Sequence, residues 1–267
     1  MLKFISFGSG SSGNCYLVMT STDGLFIDLG VGIRGLKKNL RTYGVSLSHI
    51  HHVLVTHDHA DHIKSVGSFS HDYSIPVYAT REVHVGINRN YCVTQKIASD
   101  MARIIEKGVS VQVGEFRVTP FAVPHDSSDN VGYFIEADGT NFCIITDAGT
   151  VTEEMKPYIS KARHLVIEAN HDEEMVQGGP YPQFLKSRIL STTGHLSNRN
   201  CAIAVAENMS ADLQNVWLCH LSEENNHPEL ARKTVEAVLR SYGIVVGADF
   251  HMEVLKRNSP TGPFDLP

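Results

Sequence analysis

Residues 53–65 read VLVTHDHADHIKS, an apolar run that ends on His57, His59, Asp61 and His62 within six residues. A strand that empties into a loop lets closely spaced side chains converge on one point. Imidazole with carboxylate is the donor set suited to zinc, manganese or iron. The bland alternative, a run of surface histidines in a polar loop, fits the His-x-His-x-Asp-His pattern less well. One loop holds too few donors for two metals, but a His or Asp closing an apolar strand recurs three times: His125 in FAVPHD, Asp147 in CIITDAG and His220 in VWLCHLS. Each alone reads as an ordinary loop residue. Their shared context predicts that four strand ends meet at one metal centre.

Outward from this segment, β-type runs recur at 4–7, 15–19, 25–29, 52–56, 77–79, 109–113, 116–123, 132–136, 142–146, 165–168, 215–219 and 252–256. Helical patterns lie between them at 33–43, 81–88, 152–160, 198–208 and, most clearly, 228–242, where Ala231, Val235, Val238, Leu239 and Tyr242 share an apolar face and Gly243 marks a stop. Segments 131–136 and 141–146 stand at hairpin spacing across Ala137-Asp138-Gly139-Thr140. Paired strands interleaved with amphipathic helices predict an α/β fold of the αβ/βα sandwich type, although composition alone would also suit a doubly wound sheet.

The 267 residues suffice for one large domain spanning 1–267, and no linker, repeat or low-complexity tract divides them. Hydrophobic residues make up 42% and charged residues 19%, with no stretch as long and apolar as a membrane span, so a soluble protein without membrane association is expected. The opening MLKFISFGSGSSGN has no apolar core of secretory length, which places the expected site in the cytoplasm. Five scattered cysteines without a CxxC pair read as reduced thiols. A formal charge of −6 speaks against blanket adhesion to nucleic acid, but it counts carboxylates that bound dications would neutralise.

The combination resembles the metallo-β-lactamase superfamily, whose fold is a four-layer αβ/βα sandwich. Its five motifs match Asp28 in LFIDLG, the 57–62 cluster, His125, Asp147 and His220. The resemblance spans residues 4 to about 221. It implies two divalent metal ions, zinc or manganese with iron as a further candidate: His57, His59 and His125 on one, Asp61, His62 and His220 on the other, and Asp147 between them. Asp28 would orient a ligand from behind. A water shared by two cations has its pKa lowered toward neutrality, so hydrolysis is the implied chemistry, with Asp61 and His195 in catalytic roles.

Within the superfamily the sequence lacks the flavodoxin-like extension of flavodiiron proteins, the C-terminal helical domain of glyoxalase II and the flexible arm or β-CASP insertion of other nucleases. GSGSSGNCYLV, EANHD, GHLSN and LCHLSEENN resemble the YycJ/WalJ group of compact exonucleases. That implies a 5′-to-3′ exonuclease on nucleic acid, DNA first. A hydrolase of small esters, thioesters or lactones is the alternative, and oligomeric state is left open. Lys186, Arg188 and Arg199 flank His195, and Ser197 can cap a helix, so they form either a phosphate site or a solvated face. His195 could bind the scissile phosphate or protonate the leaving oxygen. His171 is either a supporting residue behind the metals or a loop histidine. The segment 8–14 lacks the Gly-Lys-Ser/Thr of a phosphate loop and reads as a tight turn at the cleft edge. The remaining histidines, His51, His52 and His164 among them, read as structural or surface.

Overall fold

Strands apolar at every position must be covered on both faces, and the sequence contains many of them. The computed structural model describes residues 1–267 and contains fourteen strands: β1 (Leu2–Gly8), β2 (Cys15–Met19), β3 (Gly24–Ile27), β4 (Ile50–Leu54), β5 (Val77–Ala79), β6 (Ala102–Ile104), β7 (Val111–Val113), β8 (Phe116–Ala122), β9 (Val131–Ala137), β10 (Thr140–Ile145), β11 (His164–Glu168), β12 (Asn215–Cys219), β13 (His251–Val254) and β14 (Thr261–Leu266). One sheet has the order β14-β1-β2-β3-β4-β5-β6 and the other β13-β12-β11-β10-β9-β8-β7. In each, one half is antiparallel, β14 to β3 and β7 to β10, and the other half parallel.

The helices are α1 (Ile33–Thr42), α2 (Ala60–Ile63), α3 (Val66–Tyr73), α4 (Arg81–Arg89), α5 (Lys156–Lys161), α6 (Glu173–Gly178), α7 (Gln183–Ile189), α8 (Asn198–Asn208) and α9 (Pro228–Ser241). Period-2 alternation sorts the strand side chains into layers. Phe4, Tyr16, Ile27, Tyr133, Phe142 and Trp217 fill the space between the sheets. Ile5, Leu17, Phe26 and Val53 face outward onto helical residues such as Leu36, Phe69 and Val83. On the other side Cys143, Leu165, Ile167 and Leu218 meet Ile159, Val205 and Leu239. The result is an αβ/βα sandwich rather than a doubly wound sheet, and no helix is long and apolar enough to cross a membrane.

The β9–β10 hairpin turns on Asp138 and Gly139, both at positive φ (51° and 76°), the geometry that a two-residue primed turn requires. Two strands and four helices lack a counterpart in the sequence reading. β14 was obscured by Pro263, which a sheet tolerates here because the strand lies at an edge against β1. α3, VGSFSHDY, has weak intrinsic propensity and exists because Val66 and Phe69 bury against the sheet. The 152–160 helix starts later, at Lys156.

His164 opens β11 fully buried, with Asn215 Nδ2 donating to its Nδ1 (3.0 Å) and Thr140 Oγ1 3.1 Å from Nε2. Burial, with Arg163 nearby, drives its pKa down to about 4, and a proton on Nδ1 would also confront the Asn215 amide. The unfolded chain takes up this proton at about pH 6.5, so the neutral requirement costs nothing above that pH. Stability is lost as pH falls from there to about 4. The Tm difference between wild type and His164→Gln should therefore narrow steadily over that interval. A pH-independent difference would refute the assignment.

Candidate metal centre

The parallel strands β3 and β4 in one sheet, and β10, β11 and β12 in the other, bring their C-terminal ends to one edge of the sandwich, where open α/β sheets place ligands. Asp28 and His220 immediately follow β3 and β12, and Asp147 follows β10 after one intervening residue, each at left-handed φ (59°, 52° and 53°). Such backbone typically costs about 1–3 kcal/mol per residue, and here it turns each side chain inward. His57 follows β4, His59 caps α2 and His125 follows β8.

The outer nitrogens of His57, His62, His125 and His220 are tied down. Thr56 Oγ1 donates to Asp28 Oδ2 (2.8 Å) and so accepts from His57 Nδ1 (3.0 Å). His62 Nδ1 meets Asp28 Oδ2 at 2.7 Å, His125 Nδ1 donates to the Gly194 carbonyl at 2.9 Å, and His220 Nδ1 meets Glu168 Oε1 at 2.9 Å. In a neutral ring this tautomer leaves the inner nitrogen's lone pair directed at the centre, as metal ligation requires. His57 Nε2 is buried with no partner at all. An orphaned lone pair costs about 1–3 kcal/mol, and a cation at this point removes that cost.

Donor atoms of His57, His59 and His125 lie within 4.8 Å of one another, as do those of Asp61, His62 and His220. Asp147 stands between the two groups. Its Oδ2 is 3.2 Å from His62 Nε2, and its Oδ1 is 3.5 Å from His220 Nδ1, 3.7 Å from His125 Nε2 and 3.7 Å from His195 Nδ1. These residues can hold divalent cations. Burial alone would push His62 and His220 toward neutrality, but the surrounding carboxylates overturn it. His62 is held well above the usual histidine range, and His220 is raised to about 10 by Asp147, Asp61 and Glu168. Burial opposes ionisation of Asp147 and Asp61, yet facing histidines keep both far below the usual carboxylate range. The pocket is built to hold positive charge.

Glu168 was quoted in its segment but not singled out by the sequence reading. It is completely buried, and its Oε1 meets both His195 Nδ1 and His220 Nδ1 at 2.9 Å. Its Oε2 accepts from the backbone of Ala148 (2.9 Å) and Leu196 (3.0 Å). Burial disfavours its charge, but His195 and His220 bring its pKa to about 2. An acid closing the otherwise apolar strand His164–Glu168 was the available signal. Asn14, at the end of the 8–14 turn, also reaches in, with Nδ2 2.8 Å from His62 Nε2 and 3.2 Å from Asp61 Oδ2. Close approach of these loops needs Gly30, where a Cβ would sit 1.5 Å from the Asp61 carbonyl oxygen.

His195 belongs to the centre, its ring 5.0 Å from that of His125 and 5.4 Å from that of His220. His171 does not reach it. That side chain is buried, neither ring nitrogen has a partner, and the supporting contact comes from its neighbour Asn170, whose Nδ2 donates to the His220 carbonyl at 2.8 Å. The four expected phosphate residues are dispersed. Arg188 pairs with Asp126 beside His125, whereas Lys186 donates to the Gln177 carbonyl. Ser197 caps α8 and donates to Glu173, and Arg199 lies exposed near that end among Asp172, Glu173 and Glu174. Short helices turned these side chains in directions that sequence spacing did not encode.

This architecture, with His and Asp side chains gathered at the paired strand ends, defines a metal-binding hydrolase class: a β-lactamase superfamily domain model matches residues 24–221, and the chain belongs to that superfamily. Its membership and donor set imply divalent metal ions. The chain is 34% identical over 260 residues to exodeoxyribonuclease YycJ of Bacillus anthracis, covering 97% of each, and 34% identical over 248 residues to exodeoxyribonuclease WalJ of Streptococcus pneumoniae, covering 93% of this chain and 92% of that one. Among solved structures, zinc-bound PqqB of Methylobacterium extorquens shares the fold with a TM-score of 0.72 at 18% identity, over 97% of this chain and 99% of its own.

Proposed function

We propose that the protein is a phosphodiesterase that shortens DNA from its 5′ end, with the whole chain acting as one domain. Two divalent cations, zinc or manganese before iron, would supply Lewis acidity to polarise the phosphate and lower the pKa of the attacking water. His57, His59 and His125 would hold one and Asp61, His62 and His220 the other, with Asp147 shared and Asp28 fixing His62.

The observation that carries the reading is the His195–Glu168 pair. Burial would strip the proton from His195, but Glu168 and Asp147 outweigh it and hold the imidazole above its ordinary pKa. Held toward its charged form beside Asp147, pinned through Nδ1 and 19% exposed at its side chain, the imidazole can offer Nε2–H to a phosphate oxygen or to the leaving oxygen. Arg188, paired with Asp126 beside His125, would meet the adjoining phosphate. Hydrolysis of an ester or thioester has less use for either group. The likeness to exodeoxyribonucleases over nearly the full chain supports DNA as substrate. Five unpaired cysteines fit action in the reducing cytoplasm.

Duplex DNA labelled at either end, incubated with Mn²⁺ or Zn²⁺, should lose nucleotides progressively from the 5′ end. His195→Gln should slow this about 10²–10⁴-fold with bound metal unchanged. Untouched DNA alongside rapid thioester hydrolysis would sink the proposal.

A further inference from the structure

A second group of donors lies at the opposite edge of the sandwich. His51 and His52 stand at the start of β4, whose other end delivers His57, and Asp23 directly precedes β3. At about 3.3 Å per strand residue, roughly 16 Å separates this edge from the metal centre. Neighbouring strand residues ordinarily point to opposite faces. Here the register steps from Gly24↔Ile50 to Leu25↔His52, leaving His51 as the extra residue of a β-bulge, and a bulge re-aims side chains. Both imidazoles consequently turn onto one carboxylate. His51 Nδ1 is 2.7 Å from Asp23 Oδ1 and His52 Nε2 is 3.2 Å from Asp23 Oδ2, all within 4.8 Å of one another.

From these contacts we infer that Asp23, His51 and His52 form a separate, exchangeable site for a borderline divalent transition ion such as Zn²⁺. The carboxylate is braced as metal-binding carboxylates are, with Gly24 N–H donating to Oδ1 (2.9 Å) and Glu115 N–H to Oδ2 (3.0 Å). The second position on each oxygen faces an imidazole nitrogen, and an ion would replace the proton shared there. The His51 side chain is 49% exposed, which gives the ion an entry path and leaves the fourth tetrahedral position to water.

The site also joins the two sheets. Glu115 belongs to the β7–β8 turn of the second sheet, and its carboxylate is held by Thr20 and Thr22 of the first. Gly114 in that turn admits no side chain, since a Cβ would lie 2.0 Å from Asp23 Oδ2 and 2.3 Å from His52 Nε2. An ion here would fix Asp23, the acceptor that holds the Glu115 turn of the second sheet, and raise Tm by mass action.

The test is equilibrium dialysis of the full chain, stripped with chelator, against Zn²⁺, comparing wild type with His51→Ala and Asp23→Asn. His51 is exposed, so its truncation leaves folding intact. Each variant should bind one equivalent less than wild type, and the Zn²⁺-induced rise in Tm should shrink, while His57→Ala keeps this equivalent. Equal zinc content in wild type and His51→Ala would overturn the inference, reducing the cluster to a hydrogen-bonded aspartate. None of these readouts depends on what the protein hydrolyses.

Discussion

Asp147→Asn is expected to lower kcat/KM by at least about 10³-fold, the scale at which pre-organised charge acts on a transition state, without changing the circular dichroism spectrum. Asparagine tolerates left-handed backbone nearly as well as aspartate, so the φ of 53° is not disturbed. Thr146 Oγ1 can still donate to the remaining oxygen, as it does to Oδ2 at 2.8 Å, and Asn130 still holds the Asp147 carbonyl at 2.8 Å. The charge between the two histidine groups is removed, together with one of its two acceptor oxygens. Bound metal should fall with activity, which parallel elemental analysis and turnover would show. Activity within tenfold of wild type would mean that Asp147 does not link the two groups.

Glu168→Gln should be damaging in a different way. The carboxylate receives imidazoles on one oxygen and backbone N–H groups on the other. An amide offers one acceptor and one donor, so whichever way it is turned an N–H meets an N–H in a buried site. Breaking such a pairing costs roughly 2–4 kcal/mol, which at about 2–4 °C per kcal/mol for a chain of this size lowers Tm by about 5–15 °C. Activity should drop by roughly 10²–10⁴-fold, because His195 loses the anion that raises its pKa and orients it. Thermal unfolding and end-labelled digestion measure the two effects. An unchanged Tm would show that the carboxylate is not the buried acceptor described above.

Both predictions rest on residues of unequal legibility. Asp147 was readable because an acid that terminates CIIT has no role in a core. Glu168 carries the same signature, but its partners His195 and His220 are 27 and 52 positions away, and nothing in HLVIE says that they meet there. His171 shows the converse. It shares a segment with Glu168, yet neither of its ring nitrogens finds a partner while Asn170 makes the contact. The basic residues near His195 illustrate the same limit, since only Arg188 stands by a metal-site histidine, steered there by Asp126.

The layers of the fold were written in the strands, because apolar residues at every position require cover on both faces, and most β runs and the longer helices follow from periodicity. The His-x-His-x-Asp-His loop and the recurring strand-end His and Asp identified a metal centre, because a polar donor at the end of a buried strand is costly unless something binds it. Tertiary structure alone decided the rest. It set which imidazole nitrogen faces inward, through hydrogen bonds that the imidazoles donate to Asp28, Thr56, Gly194 and Glu168. It also turned Asp28, Asp147 and His220 into left-handed backbone and brought Asp23 to a bulge at His51. Each of these depends on through-space contacts between sequence-distant segments, and local propensity and spacing carry no record of them.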